Sequence, residues 1–162
     1  MNDKKPDLSA FCMRARGFAS QGRMDDALDL YGDVIQTDPE NAMAYADRGT
    51  VHAMMKKFDL ALGDLEQAFS LGYKDATAYT TAATICYELK RFPEALSYFS
   101  RSIALNPNYP FTYYNRSNVF HDMGDNEAAI ADLEKCLQFK PDGDFKALVL
   151  RRLDFLKAQR PT

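Results

Sequence analysis

The segment 110–143 reads PFTYYNRSNVFHDMGDNEAAIADLEKCLQFKPDG, and the segment before it, 76–109, reads ATAYTTAATICYELKRFPEALSYFSRSIALNPNY. Set one above the other, they share a tyrosine (Tyr79, Tyr113), a small residue four places on (Ala83, Ser117), an alanine (Ala95, Ala129) and a large apolar residue four after that (Phe99, Leu133). The same spacing of 34 residues carries every column toward the N-terminus: Ala61 and Ala27, Leu65 and Tyr31, Tyr45 and Phe11, Gly49 and Ala15. Leu28, Leu62, Leu96 and Ile130 form a further column, and Pro39, Pro107 and Pro141 align with Tyr73 as the one replacement. A strict period of this length marks one helix-turn-helix unit, which cannot bury its apolar face alone and must stack on its neighbours.

These columns resemble the tetratricopeptide repeat, in four copies at 8–41, 42–75, 76–109 and 110–143, with a lead-in at 1–7 and a segment 144–162 outside the pattern. The resemblance implies an all-α, right-handed superhelix of four helix-turn-helix units plus a C-terminal capping helix. Where that family usually has leucine, this chain has Arg14, Arg48, Ala82 and Arg116, and its next large position holds Phe18, His52, Cys86 and Phe120.

Composition narrows the functional classes. The 46% hydrophobic content supports a continuous core, while a net charge of −3 and a pI of about 5.4 argue against a protein whose affinity rests on neutralising phosphates, so no nucleic-acid partner is expected. Cys12, Cys86 and Cys136 are odd in number and unrelated in spacing, which suggests neither a disulfide framework nor a metal site. Residues 1–7 lead into the first repeat without an apolar run, and no stretch reaches the ~18 apolar residues of a membrane span. The expectation is a soluble, cytoplasmic chain with no membrane partner and no cofactor.

Local chemistry agrees with the repeat. Gly22 and Gly124 can take positive φ where each first helix ends, and Pro93 can open a second helix because its missing N–H falls among the groups left unpaired there. Pro39, Pro107 and Pro141 should end the second helices. The cations Arg23, Lys56-Lys57 and Lys90-Arg91 fall at the turn inside the first three units and complement the helix C-terminus. Arg48 and Arg116 coincide with Asp64 and Asp132 sixteen residues on, whereas Ala82 coincides with Tyr98. Arginine and aspartate are present together twice and absent together once, so partly buried intra-repeat ion pairs are predicted, while Arg14 has Leu30 at the matching place and needs another partner.

No phosphate loop, metal-binding helix or nucleophile elbow occurs, and His52 and His121 lie in different repeats, so a noncatalytic chain is expected. His52 falls at a packing position and is read as a satisfied core histidine. The family resemblance implies instead that the first helices line a concave groove holding an extended peptide or a helix of a protein partner. Carried over position by position, that groove takes Met54 from the second repeat, Thr77, Thr81, Thr84 and Tyr87 from the third, and Tyr114, Asn115, Asn118 and His121 from the fourth. Threonines are poor helix formers because β-branching restricts χ1, so their crowding on one face invites a functional reason; back-bonding to their own helix is the structural alternative. The clamp by which related co-chaperones hold a chaperone's C-terminal carboxylate has no counterpart here in either possible frame.

The segment after 143 should cap the last repeat, yet its apolar residues spread more widely than the ~100° that one packing surface needs. Leu150 and Leu153 are expected to cover the preceding helix, leaving Phe145, Leu148, Val149, Phe155 and Leu156 for a homodimer or partner contact unless the first helix of repeat four covers them. The expected function is therefore a protein-interaction module working through its groove. The alternatives are a self-associating scaffold using the C-terminal helix and a small chaperone of a secreted bacterial substrate.

Overall fold

Each repeat folds as two helices whose bounds follow from its caps. The structure, a computed structural model, describes residues 8–159; the lead-in 1–7 and the last three residues of the tail lie outside them. Among the described residues the elements are α1 (Leu8–Ser20), α2 (Met24–Thr37), α3 (Ala42–Met54), α4 (Phe58–Ser70), α5 (Ala76–Glu88), α6 (Phe92–Leu105), α7 (Pro110–Asp122), α8 (Asn126–Gln138) and α9 (Gly143–Ala158). Among the described residues no helix is long and apolar enough to cross a membrane.

The turn inside each unit repeats one hydrogen bond. The amides of Arg23, Lys57, Arg91 and Asp125 donate to the carbonyls of Phe18, His52, Cys86 and Phe120 at 2.8–2.9 Å, which closes the helix C-terminus around a residue of positive φ. That residue is Gly22 or Gly124 in the outer units, as expected, but Lys56 (φ 57°) and Lys90 (φ 60°) in the inner two. Asn41, Asp75 and Asp125 cap the starts of α3, α5 and α8 by accepting from the amides of Ala44, Ala78 and Ala128. Pro93 sits in the first turn of α6, and Pro39 and Pro107 follow the caps of α2 and α6.

The chain divides into two compact units, 1–74 and 75–162. In the first, α1, α2 and α3 pack around Cys12, Ala15, Ala27, Tyr31, Val34, Ala44 and Val51. Gly49 permits a close crossing of α3 over α4: a Cβ there would lie 3.0 Å from the carbonyl oxygen of Ala61 and 3.0 Å from Leu65 Cγ. The predicted ion pair forms beside it, with Arg48 Nε and Nη2 donating to Asp64 Oδ2 and Oδ1 at 2.8 and 2.7 Å. His52 Nε2 lies 3.8 Å from the same carboxylate, beyond hydrogen-bond distance, and its buried Nδ1 has no hydrogen-bond partner among the described residues, so this histidine is not the satisfied core residue expected. Burial lowers its pKa against the pull of Asp64.

In the second unit α7, α8 and α9 build a core of Tyr113, Ala129, Ile130, Leu133, Cys136, Val149, Leu153 and Leu156. Arg116 and Asp132 repeat the bidentate pair at 2.7 and 2.7 Å. In the third repeat, which has Ala82 in place of the arginine, Tyr98 stacks on Tyr79 at 6.3 Å, and Arg101 lies within 6 Å of both rings. The expectation for α9 is corrected here: Val149 and Leu156 are completely buried against α8, and Leu150, assigned to the covering face, is exposed. Residues 149, 153 and 156 share one helical stripe whose burial seats α9 on the core, and an exposed Lys157–Glu134 pair at 2.7 Å lies at its edge.

Candidate functional site: a cleft between α5, α7 and α9

Once Val149, Leu153 and Leu156 are turned inward, helical geometry forces residues 148, 151, 152 and 155 onto another side of α9. That side faces α5 and α7 across a cleft of about 500 Å³ lined by Tyr87, Tyr114, Asn118, Leu148, Arg151, Arg152 and Phe155. Three residues expected in the groove, Tyr87, Tyr114 and Asn118, therefore meet in one cavity. A volume in this range suits a small ligand or a few residues of a peptide.

Each wall is held by specific contacts. The Tyr87 hydroxyl donates to Asp122 Oδ2 at 2.8 Å, and Lys90 reaches that carboxylate at 3.9 Å. Burial, together with the bond to Asp122, pushes the Tyr87 hydroxyl up to about 12, so it stays a neutral donor at physiological pH. Tyr114 meets the ring of Phe145 edge-on at 5.5 Å. Phe155 is set between His121, whose ring meets it edge-on at 6.3 Å, and the Arg152 guanidinium at 5.7 Å. Such contacts fix aromatic rings without covering them, and Phe155 remains 49% exposed.

The other expected groove residues lie elsewhere. Thr81 and Thr84 donate to the carbonyls of Thr77 and Thr80, four residues back, at 3.0 and 2.9 Å. Thr80 bonds Ala76 O and lies 2.8 Å from Ser102 Oγ, which itself donates to Ala76 O. The threonine face of α5 is thus largely spent on its own backbone, and Thr77, Thr81 and Thr84 do not line the cleft. His121 does not line it either; its Nδ1 lies 2.8 Å from Asn126 Oδ1, and its ring touches the cleft wall only by meeting Phe155 edge-on. Asn115 is half-buried outside the lining, and Met54 is exposed in the first unit.

Of the residues assigned to self-association, Phe145 is covered by α7, stacking on Phe111 with centroids 3.9 Å apart at 15°. Val149 and Leu156 are core, and only Leu148 and Phe155 stay open, as cleft walls. Sequence reading missed Arg151 and Arg152. The available signal was the spacing 148, 151, 152, 155, a single helical stripe with two cations at its centre.

Among the described residues no group of three His, Cys, Asp or Glu side chains is placed to hold a metal. Models of the tetratricopeptide repeat match residues 12–68, 76–109 and 112–142. A human protein, tetratricopeptide repeat protein 6, is 26% identical over 126 residues; that alignment takes in 78% of this chain, which spans about a quarter (24%) of the length of that relative. Among solved structures, MamA protein superposes with a TM-score of 0.82 at 24% identity, covering 94% of this chain and 84% of that one. A structure of pilF from Pseudomonas aeruginosa does so with a TM-score of 0.82 at 21% identity, covering 94% and 69%. At these identities the structural likeness speaks to the fold alone. The repeat models span most of the chain, and the helix pairs carry the pattern on which they are built, so the chain belongs to the tetratricopeptide repeat family.

Proposed function

We propose that the protein binds a peptide or a helix of a partner protein, seated on the inner faces of α5 and α7 and closed at one end by α9. Its repeats support the broader role of a protein–protein interaction scaffold, a class that is generally noncatalytic. The observation that carries the finer reading is the meeting of Tyr87, Tyr114 and Asn118 in one open cleft. Tyrosine supplies rigid contact area at low entropic cost, and an asparagine amide offers both a donor and an acceptor to a peptide backbone. Partner recovery by wild type against a Tyr114→Ala/Asn118→Ala variant, read by mass spectrometry, tests it. Truncating a hot-spot aromatic costs ~2 kcal/mol or more. Affinity unchanged in a folded Asn118→Ala protein would place the working surface elsewhere.

The exposure of Leu150 and Phe155 favours a second reading, self-association through α9. With Val149 and Leu156 in the core, the apolar area open to a second copy is smaller than the sequence suggests. Sedimentation of wild type and Phe155→Glu decides it: a concentration-independent monomer in both excludes the dimer.

A further inference from the structure

The cleft holds a charge without a counter-charge. Arg152 is half-buried, and its Nε is fully enclosed with no hydrogen-bond partner among the described residues. Neither Arg151 nor Arg152 forms an ion pair with a described residue, whereas Arg48 and Arg116 are each tied to an aspartate by two bonds. The nearby carboxylate of Asp122 is engaged by Tyr87 and Lys90. The accessible part of the Arg152 guanidinium lines the cleft, and the planar fork of arginine matches a carboxylate with two parallel bonds. Beside these cations, Leu148 and Phe155 present uncovered apolar surface, 38% and 49% exposed.

We infer that the cleft takes an acidic segment of a partner protein: Arg152 grips one carboxylate at depth, Arg151 a second at the rim, and Leu148 and Phe155 pack an adjoining apolar side chain. This inference rests on the groove-binding reading above and adds the chemistry of the partner. Two cations at different depths fit an internal acidic segment better than a single C-terminal carboxylate, which would leave Arg151 unused. A nucleic-acid backbone is the poorer fit, because its long run of phosphates would meet the acidic chain as a whole, whereas two carboxylates need only the two cations of the cleft.

Panning a random dodecapeptide library on the full chain, followed by titration of the enriched peptides, tests this. The expected result is enrichment of Asp or Glu next to an aliphatic or aromatic residue. Arg152→Gln should weaken those peptides at least tenfold, Arg152→Lys by less, and a Glu→Gln version of each peptide should lose as much on wild type. Unchanged helical circular dichroism and melting separate loss of binding from loss of fold. Enriched peptides that lack acids and weaken on Asn118→Ala overturn the carboxylate inference while leaving the groove reading standing. No enrichment, or peptides indifferent to both Asn118→Ala and Arg152→Gln, overturns the two together. A control titration with single-stranded DNA that binds tightly and weakens on Arg152→Gln, with no acidic peptide enriched, makes the site phosphate-directed and also overturns it.

Discussion

Replacing Gly49 by alanine sets two known effects against each other at one atom. In a helix interior the change is worth about 1 kcal/mol in favour of folding through backbone entropy and propensity. The added Cβ, however, meets the Ala61 carbonyl oxygen and Leu65 Cγ at 3.0 Å and Asp64 Cβ at 3.2 Å. The carbonyl belongs to the α4 backbone and cannot swing aside, so α3 and α4 must separate, and overpacking of this kind costs ~1–3 kcal/mol. Gly63, in the interior of α4 with nothing within 4 Å of its added Cβ, supplies the control because it keeps the propensity gain and has no clash. Gly63→Ala should therefore stabilise by about 1 kcal/mol, and Gly49→Ala should fall ~1–3 kcal/mol below it. Urea unfolding followed by circular dichroism measures both, with a constant m-value showing that the midpoint shift reports stability. If Gly49→Ala stabilises as much as Gly63→Ala, the close approach of α3 and α4 is wrong.

Two further outcomes are expected. A double-mutant cycle on Arg116 and Asp132 should show coupling: Asp132→Ala alone strands a largely buried guanidinium at a cost of about 3 kcal/mol, and removing both should cost less than the sum of the single changes. Additivity in the cycle would deny the pair an energetic role. His52, whose pKa burial holds below its ordinary value, binds its proton more weakly folded than unfolded. Its contribution to stability is thus complete above about pH 6.5 and is lost as pH falls through its depressed folded value. The urea midpoint of wild type should drop on acidification from pH 7.5 toward 5.5 by more than that of His52→Gln, and equal drops would contradict the assignment.

The periodic alanines, small residues and prolines were enough to place every helix pair, because a repeat confines each residue to contacts with its own unit and the next. Ala27, Ala61, Ala95 and Ala129 are all fully buried, and the coincidence of Arg48 with Asp64 and Arg116 with Asp132 predicted both bidentate pairs, since each spans only one helix-turn-helix. The candidate site was legible on α5 and α7 only in part: Tyr87, Tyr114 and Asn118 are in the cleft, but the threonines are not. A hydroxyl can bond its own helix four residues back as readily as it can bond a ligand, and no pattern in the sequence distinguishes the two.

What only the tertiary structure decided is the rotation of α9. Lying outside the repeat, this helix has no neighbouring copy to fix its phase, and its apolar residues allow more than one stripe to face α8. Packing selected Val149, Leu153 and Leu156, and a helix whose core face is set has no remaining freedom to rotate. That single choice removed two residues from the expected contact surface and carried Leu148, Arg151, Arg152 and Phe155 to the cleft. The amino-acid sequence by itself determined the units and their internal pairing, where contacts are local and repeated. The chemistry of the cleft arose from a contact outside the repeat, which only the folded chain could select.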